Sequence, residues 1–222
     1  MRYSSKKSQR ESNIEDINNN KIEFVYYITS ASHLQSILKH GILSHNQARA
    51  KVIIKEDISL AGVQQLRSRK IIDGKSLHDY ACLYFCATNP MLYKVQKEFS
   101  DIIIVAVDKK ILLNKSSLFS NGNAASDNTK FYSGTEYLET LPWSKIRADY
   151  WRDPNFDSGH YSEDDLVSNE RSRIKCAEIL IYPNIPSKYV KGVFCNSKEV
   201  MSFCQSITSK KLHILIDKRI FF

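Results

Sequence analysis

The hydrophobic residues of this chain are gathered in short apolar runs and not in long ones. Runs this short, rich in Ile, Val, Tyr and Phe and bounded by turn residues, predict buried β-strands. Helical patterns lie between some of the runs, without the regular alternation of a doubly wound parallel sheet. The sequence therefore predicts an α+β fold with a mixed β-sheet core and flanking helices. The predicted strands are IEFVYYIT from Ile22, ACLYF from Ala81, DIIIVAVD from Asp101, AEILIY from Ala177, GVFC from Gly192 and LHILI from Leu212.

The length and composition favour a single domain. The chain has 222 residues, 42% of them hydrophobic, which suffices for one substantial core. Residues 1–21 are polar and have almost no apolar periodicity, so we expect a flexible N-terminal arm followed by one domain over residues 22–222. Helices are expected after Ser30 or Ser32 up to Gly41, over about residues 60–72, from Pro90 and over residues 197–206.

The charge balance indicates a polyanionic partner. Lys and Arg total 32 against 24 Asp and Glu, a net charge of +8 that attracts nucleic acid. No apolar run reaches about 18 residues and the N-terminus lacks a signal-peptide pattern, so we expect no membrane association and a cytoplasmic location. The five cysteines are odd in number and sit mostly in apolar runs, which favours reduced structural thiols over disulfides or a metal site.

Common nucleotide-binding and hydrolase motifs are absent from the sequence. Polar residues at positions where the pattern calls for apolar ones are the remaining functional candidates. Glu178 begins an apolar strand and could also be an edge residue paired with Arg173 or Lys175. Arg67 lies in a helical pattern, where a solvated charge is the alternative. Tyr84, in a buried strand, could equally be a core tyrosine with a bonded hydroxyl.

Several motifs in order resemble one known family. YYIT, HGILSHN, VQQLRSRK, LHDYACLYFCATNPMLY, NGNAAS and KCAEILIYPNIP follow one another as in the DarT family of NAD-dependent DNA ADP-ribosyltransferases, toxins of bacterial toxin–antitoxin systems. The resemblance runs from about Phe24 to Asn196. It implies a single-domain ADP-ribosyltransferase fold with a split mixed sheet, NAD as co-substrate, no metal, and a macrodomain antitoxin as partner.

The resemblance also implies roles for particular residues. Glu178 and Arg67 correspond to the family's catalytic residues, and the loop over residues 118–178 would hold a substrate-recognising turn. Thr88 and Asn89 replace a more frequent arginine-containing version of their segment, and Tyr27 stands where many relatives have histidine. The expected NAD-binding residues are Tyr27, Ile28, Thr29, Ser36, Ser44 and Arg67, and the expected DNA-binding residues are Tyr84, Asn89, Met91 and Tyr93.

Chemistry supports these assignments. Breaking the nicotinamide–ribose bond builds positive charge on the sugar, which a fixed carboxylate such as Glu178 stabilises. The resemblance gives Arg67 a part in removing a proton from the attacked base. Because a guanidinium is a poor base, we expect Arg67 mainly to bind the pyrophosphate and stabilise negative charge on the base, and its role in proton transfer stays open. Tyr84, Met91 and Tyr93 would contact unpaired bases, with Asn89 reading a base edge.

The expected reaction is transfer of ADP-ribose to a base of single-stranded DNA, with guanine favoured and thymine as the other candidate. The same chemistry on RNA, the modification of proteins, and a non-catalytic nucleic-acid-binding module are the alternatives. His78 and Asp79, before the strand at Ala81, are expected to orient one another and their loop.

Overall fold

The computed structural model describes residues 2–52, 58–149, 165–208 and 212–222. Its helices are α1 (Arg2–Asn19), α2 (Leu34–His40), α3 (His45–Ala50), α4 (Ala61–Arg69), α5 (Pro90–Glu98), α6 (Trp143–Ile146), α7 (Asp165–Ser168), α8 (Glu170–Lys175) and α9 (Lys198–Ser206). Its strands are β1 (Phe24–Ser30), β2 (Ile42–Leu43), β3 (Ile71–Ile72), β4 (Lys75–Ser76), β5 (Ala81–Tyr84), β6 (Ile102–Asp108), β7 (Ser117–Ser120), β8 (Phe131–Ser133), β9 (Glu178–Ile181), β10 (Asn184–Ile185), β11 (Val190–Cys195) and β12 (His213–Ile216). Short 3₁₀ helices cover Ala31–His33, Leu77–Asp79, Lys109–Leu113, Thr135–Thr140 and Ser187–Tyr189.

Within the described residues, the main sheet has the strand order β12-β11-β6-β1-β5-β9-β7-β8. Its neighbours are antiparallel except β11 and β12, which run parallel, so the sheet is mixed. Each predicted strand is present, and the α+β fold with flanking helices is confirmed. Strands β7 and β8 were not among the predicted strands, because runs of four and three residues give little periodic signal.

The sheet carries apolar side chains on both faces, and strand β6 at its centre is buried along nearly its whole length. Strand β6 alternates residues between two clusters, with Ile103 and Val105 in the larger and Ile102 and Ile104 in the smaller. Helix α5 packs Leu92 and Val95 into the smaller cluster. Helix α5 begins at Pro90, as predicted from the sequence. Proline suits the first turn because the backbone amide there has no partner within the helix.

The N-terminal segment differs from the expected flexible arm because α1 is helical. Its last turns contact the domain: Ile17 is 2% exposed in the main core and Asp16 Oδ2 accepts from Thr135 Oγ1 at 2.9 Å. One buried isoleucine in a polar helix gives no visible periodicity, so tertiary contacts, and not amphipathic patterning, hold this end of α1.

No helix in the described part of the chain combines the length and the apolar character needed to span a membrane.

Candidate active site

Glu178 and Arg67 form a buried ion pair between β9 and α4. Arg67 Nη1 donates to Glu178 Oε1 at 3.1 Å, and Arg67 Nη2 donates to Glu178 Oε2 at 3.0 Å. A two-pronged contact of this kind fixes the guanidinium and the carboxylate in one relative orientation. Glu178 is 1% exposed and Arg67 8% exposed. The two predicted catalytic residues therefore meet in the interior.

The structure decides against the alternatives for these two residues. Arg67 is not a solvated helix charge, because it is buried against Glu178. Arg173 Nη1 donates to Asn121 and Thr129 side chains. Lys175 Nζ donates to the Ala148 carbonyl at 2.6 Å. Neither cation is thus the partner of Glu178.

Neighbouring strands hold the Glu178 backbone and side chain in place. In the antiparallel register of β5 and β9, Tyr84 lies opposite Glu178. The Glu178 amide donates to Ser120 Oγ at 2.8 Å, across to β7. The amide of Ala124, in the loop after β7, donates to Glu178 Oε1 at 2.8 Å. A carboxylate that accepts from a backbone amide and a guanidinium is preorganised as an anion.

Charge states around the ion pair follow from burial and proximity. Burial opposes the charge on Arg67, but the Glu178 carboxylate outweighs it and raises the Arg67 pKa above its usual value. Burial raises the pKa of the Cys82 thiol to about 12, although Arg67 opposes this and Arg67 Nη2 donates to Cys82 Sγ at 2.8 Å. Burial, with the Glu178 charge, raises the Tyr84 pKa well above its usual value. At neutral pH all three side chains therefore keep their protons.

The ion pair borders a pocket of about 220 Å³. Four of the residues expected to bind NAD besides Arg67 line it: Tyr27, Ile28, Thr29 and Ser36. The Thr29 hydroxyl lies 3.0 Å from His33 Nδ1, which lines the same pocket. These four residues come together because β1 ends at the short helix that leads into α2.

Ser44 has a different place from the one expected. It is 1% exposed, is not among the pocket-lining residues, and its Oγ accepts from the Gln47 amide at 3.3 Å. This is the geometry of an N-cap, which satisfies an amide that the first turn of α3 leaves without a helical partner. We therefore correct Ser44 from a predicted NAD contact to a helix cap.

The residues expected to bind DNA are dispersed. Tyr84 and Met91 line the pocket. Tyr93 is not among the pocket-lining residues and packs edge-on against Phe222 with ring centroids 5.4 Å apart. The turn of α5 separates Met91 from Tyr93, since residues two apart lie on different helix faces.

Asn89 is fully buried at the start of α5. Its Oδ1 accepts from the Leu92 amide at 3.0 Å, and its Nδ2 donates to the Cys86 carbonyl at 2.9 Å. A side chain with both ends bonded and no exposure cannot read a base edge without breaking the cap, so that expectation is corrected.

His78 lies at the pocket wall and packs against His45, with ring centroids 4.3 Å apart and the rings tilted by 34°. Its Nε2 is 2.8 Å from Gln64 Oε1. Burial lowers the His78 pKa to about 4, helped by His45 and Arg67, so the ring is neutral at pH 7. Asp79 instead accepts from the Ser76 amide in a capping box, so it orients the loop but not His78.

Sequence reasoning missed Ser120 and Ala124, the two residues that contact Glu178 from the loop and strand before it. Ala124 acts through its backbone amide, which leaves no signature in residue type. The NGNAAS motif, which contains Ala124, was the available signal. The later part of the expected recognition loop, residues 150–164, lies outside the described residues. Among the described residues, no cluster of His, Cys, Asp and Glu could hold a metal ion.

The mixed sheet places a carboxylate–arginine pair at the wall of a pocket. A fixed carboxylate there can stabilise positive charge that develops on a sugar, which is what a transferase that moves a sugar group requires. A family model described as "ssDNA thymidine ADP-ribosyltransferase, DarT" matches residues 26–222. The chain therefore belongs to the DarT family of DNA ADP-ribosyltransferases, which confirms the family predicted from sequence.

Individual relatives agree with this assignment. A DNA ADP-ribosyl transferase–DNA ADP-ribosyl glycohydrolase fusion protein of Thermosipho africanus is 30% identical over 89% of this chain and 49% of its own length. The structure of Thermosipho africanus DarTG in complex with ADP-ribose superposes with a TM-score of 0.76 at 26% identity, covering 90% of this chain and 51% of the other. This chain thus spans about half the length of that relative.

The structure of Thermus sp. 2.9 DarT in complex with ADP-ribosylated ssDNA has a TM-score of 0.77 at 24% identity. The match covers 91% of this chain and 97% of the Thermus chain. At this identity it shows that the fold is shared.

Proposed function

We propose that this chain transfers ADP-ribose from NAD to a base of single-stranded DNA and acts as a bacterial toxin. The observation that carries the proposal is the buried Glu178–Arg67 pair at a pocket lined by Tyr27, Ile28 and Thr29. The family's description names thymidine, so thymine is the base we propose. Guanine, the base favoured from the sequence, is the alternative.

Glu178 has room for one more strong donor. Its Oε1 already accepts from Arg67 Nη1 and Ala124 N, and its Oε2 accepts from Arg67 Nη2. A carboxylate oxygen has two acceptor positions, so a ribose hydroxyl can occupy the second position of Oε2. Cys82 lies against the same carboxylate, but a thiol is a weak donor and yields to a hydroxyl.

Contact with this carboxylate requires a local rearrangement. Glu178 is 1% exposed because Arg67, Cys82 and Tyr84 surround it. Glu178 also lines the pocket, so a small movement of one of these side chains would bring the carboxylate into contact with a substrate. Burial also excludes water from the place where positive charge develops on the sugar. The attraction between that charge and Glu178 is therefore stronger than it would be in solvent.

Arg67 serves the reaction as a fixed cation. Its raised pKa excludes it as a proton acceptor, and both of its terminal nitrogens hold Glu178. We therefore assign Arg67 to orienting Glu178 and to stabilising negative charge on the attacked base. A guanidinium has five N–H donors, so the predicted contact with the pyrophosphate of NAD can be made while Arg67 keeps its two bonds to Glu178.

The pocket fits part of a dinucleotide. Its volume of about 220 Å³ is below the range of roughly 300–1,000 Å³ typical of sites for drug-sized ligands. It therefore suits the nicotinamide and adjoining ribose, with the rest of NAD extending along the wall that includes Ser36 and His33. NAD supplies the glycosidic bond that breaks; Tyr27, Ile28 and Thr29 bind and orient that end.

Mass spectrometry tests the proposal directly. The protein is incubated with NAD and with single-stranded DNA oligonucleotides that each contain only one type of reactive base, and with matching RNA. We expect one ADP-ribose added to thymine-containing DNA. An adduct on guanine alone selects the alternative base, and an adduct on RNA alone selects the RNA reading. Binding of DNA without any adduct would leave only the non-catalytic module, and modified protein alone would support protein ADP-ribosylation.

Toxicity and an antitoxin are part of the same proposal. The Thermosipho africanus relative carries a DNA ADP-ribosyl glycohydrolase in the same chain, which supports a macrodomain partner that removes the modification. Both activities would act in the bacterial cytoplasm. Expression of this chain should stop growth, and co-expression of a DNA ADP-ribosyl glycohydrolase should restore it. Growth that is unaffected by an active transferase would refute the toxin role.

A further inference from the structure

We propose that the nucleotides next to the modified base bind a surface formed by Lys70, Lys75, Phe131 and Tyr182, here named the Lys–aromatic surface. This inference rests on the proposed function, since it assigns the path of the DNA strand beyond the pocket. Each ring of the surface has a lysine beside it. Lys75 Nζ lies 5.1 Å from the Tyr182 ring centroid, and Lys70 Nζ lies 6.0 Å from that of Phe131.

The surface adjoins the pocket through Tyr80. Tyr80 lines the pocket and packs edge-on against Tyr182, with ring centroids 5.9 Å apart. Phe131 packs on the same buried cluster, which contains Tyr80, Leu77 and Ala124. The two rings and the pocket therefore share one supporting layer of the fold, which places the rings next to the pocket wall at Tyr80.

Lys70 connects the surface to the catalytic residues. It caps the C-terminal end of α4, three residues after Arg67. Its Nζ donates to the Ser126 carbonyl, in the same loop as the Ala124 amide that donates to Glu178 Oε1. A phosphate bound at Lys70 would thus lie beside the loop that orients the catalytic carboxylate.

The chemistry of the surface matches unpaired DNA. Tyr182 is 40% exposed, so a base can stack on it, and stacking on an aromatic ring needs no particular base sequence. Lys75, whose side chain is 37% exposed, can turn from the exposed Asp73 carboxylate to a phosphate, and Lys70 adds positive charge close to the Phe131 ring. Rings that each have a lysine beside them suit a chain that carries both bases and phosphates.

Two carboxylates lie on the surface and oppose a polyanion weakly. Asp127 is paired with Lys70 at 3.2 Å and Asp73 with Lys75 at 3.8 Å. Their side chains are 103% and 73% exposed, respectively, so solvent screens both. The exposed Lys130 adds a further cation beside Phe131.

Aromatic substitutions test the surface. We expect Tyr182→Ala and Phe131→Ala each to weaken binding of a single-stranded DNA oligonucleotide by about 10-fold to 100-fold, measured by fluorescence anisotropy without NAD. Phe203→Ala is the matched control, because Phe203 is 45% exposed on α9, beside β11 and β12 at the opposite end of the sheet. The NAD dissociation constant should be unchanged in all three variants. Tyr182→Phe keeps the ring and should bind DNA as the wild type does.

A lysine substitution gives an independent readout. Lys75→Ala should reduce the slope of log affinity against log salt by about 0.7 for single-stranded DNA. Lys191→Ala is the control, since Lys191 is similarly exposed and similarly paired, with Asp108 at 3.4 Å, but lies on β11. This measurement stands even where an aromatic variant fails to fold.

Failure of the two proposals can be told apart. A wild-type protein that modifies DNA, with Tyr182→Ala, Phe131→Ala and Lys75→Ala binding it like their controls, overturns the Lys–aromatic surface and leaves the function intact. A wild-type protein that modifies no nucleic acid overturns the proposed function. Reduced DNA binding confined to the Lys–aromatic variants, with NAD binding retained, supports the inference.

Discussion

Replacing Glu178 with glutamine removes one negative charge while keeping the size of the side chain. The change leaves Arg67, 8% exposed, without a counter-ion, and the new amide NH₂ would face Arg67 Nη1 or Nη2, where the carboxylate accepted. Breaking a buried ion pair from one side costs about 3–5 kcal/mol of unfolding free energy. A domain has about 5–15 kcal/mol in total, so a folded but weakened protein is expected.

The effect on the reaction is separate from the effect on stability. Losing a preorganised group that stabilises transition-state charge reduces the rate by about 100- to 1,000-fold. The double variant Glu178→Gln with Arg67→Met removes the unpaired cation as well. Because replacing a whole buried ion pair is often close to neutral, the double variant should regain most of the lost stability while staying inactive.

Two assays on the same samples decide the matter. Urea unfolding measures the free energy of unfolding, and mass spectrometry measures the rate of ADP-ribose transfer to DNA. Recovery of the rate together with stability in the double variant would refute the reasoning, because Glu178 would then act only by holding the fold. Full activity of Glu178→Gln alone would refute it more directly.

Asn89→Ala should lower the free energy of unfolding by about 1–2 kcal/mol, because the N-cap of α5 is lost, whereas Asn89→Ser should keep most of the wild-type stability. A changed base preference in oligonucleotide assays would contradict a purely capping role. Gly41→Ala should reduce thermal stability more than Gly74→Ala. Both glycines have positive φ, but of the two only Gly41 would place a Cβ against a backbone atom, the Ile185 carbonyl oxygen at 2.2 Å. Equal losses of thermal stability would exclude the clash. The pKa of His78 is about 4 in the folded protein and about 6.5 in the unfolded chain, so between these values only the unfolded chain binds the proton. The free energy of unfolding should therefore fall as the pH drops from about 6.5 to about 4. His78→Gln should flatten that part of the urea-measured pH profile, and an unchanged profile would contradict the assignment.

Local pattern was enough to predict several parts of the fold and site. The buried strands were visible as apolar runs because a strand buried on both faces needs apolar residues at nearly every position. Pro90 marked the start of α5. Glu178 stood out because a carboxylate at the head of the run EILI contradicts burial unless something pairs with it.

Other predictions failed where one residue type serves two purposes. Ser44 and Asn89 are polar residues near functional motifs, but both are helix caps in the structure. The same residue types, such as Ser and Asn, serve as helix caps and as ligand contacts, so the sequence does not distinguish the two roles. Helix α1 was missed because one buried residue, Ile17, is too little for a periodic signal.

The sequence by itself determined the strands that lie in apolar runs, the positive charge and the identity of the two ionic side chains. Only the tertiary structure decided that Glu178 pairs with Arg67, 111 residues away, and not with the nearby Arg173 or Lys175. It also decided that Lys70 lies over the Phe131 ring and Lys75 over the Tyr182 ring. The reason is that strand and helix patterns depend on neighbours in sequence, whereas these contacts depend on the register of β5, β9 and β7 and on how α4 packs against them.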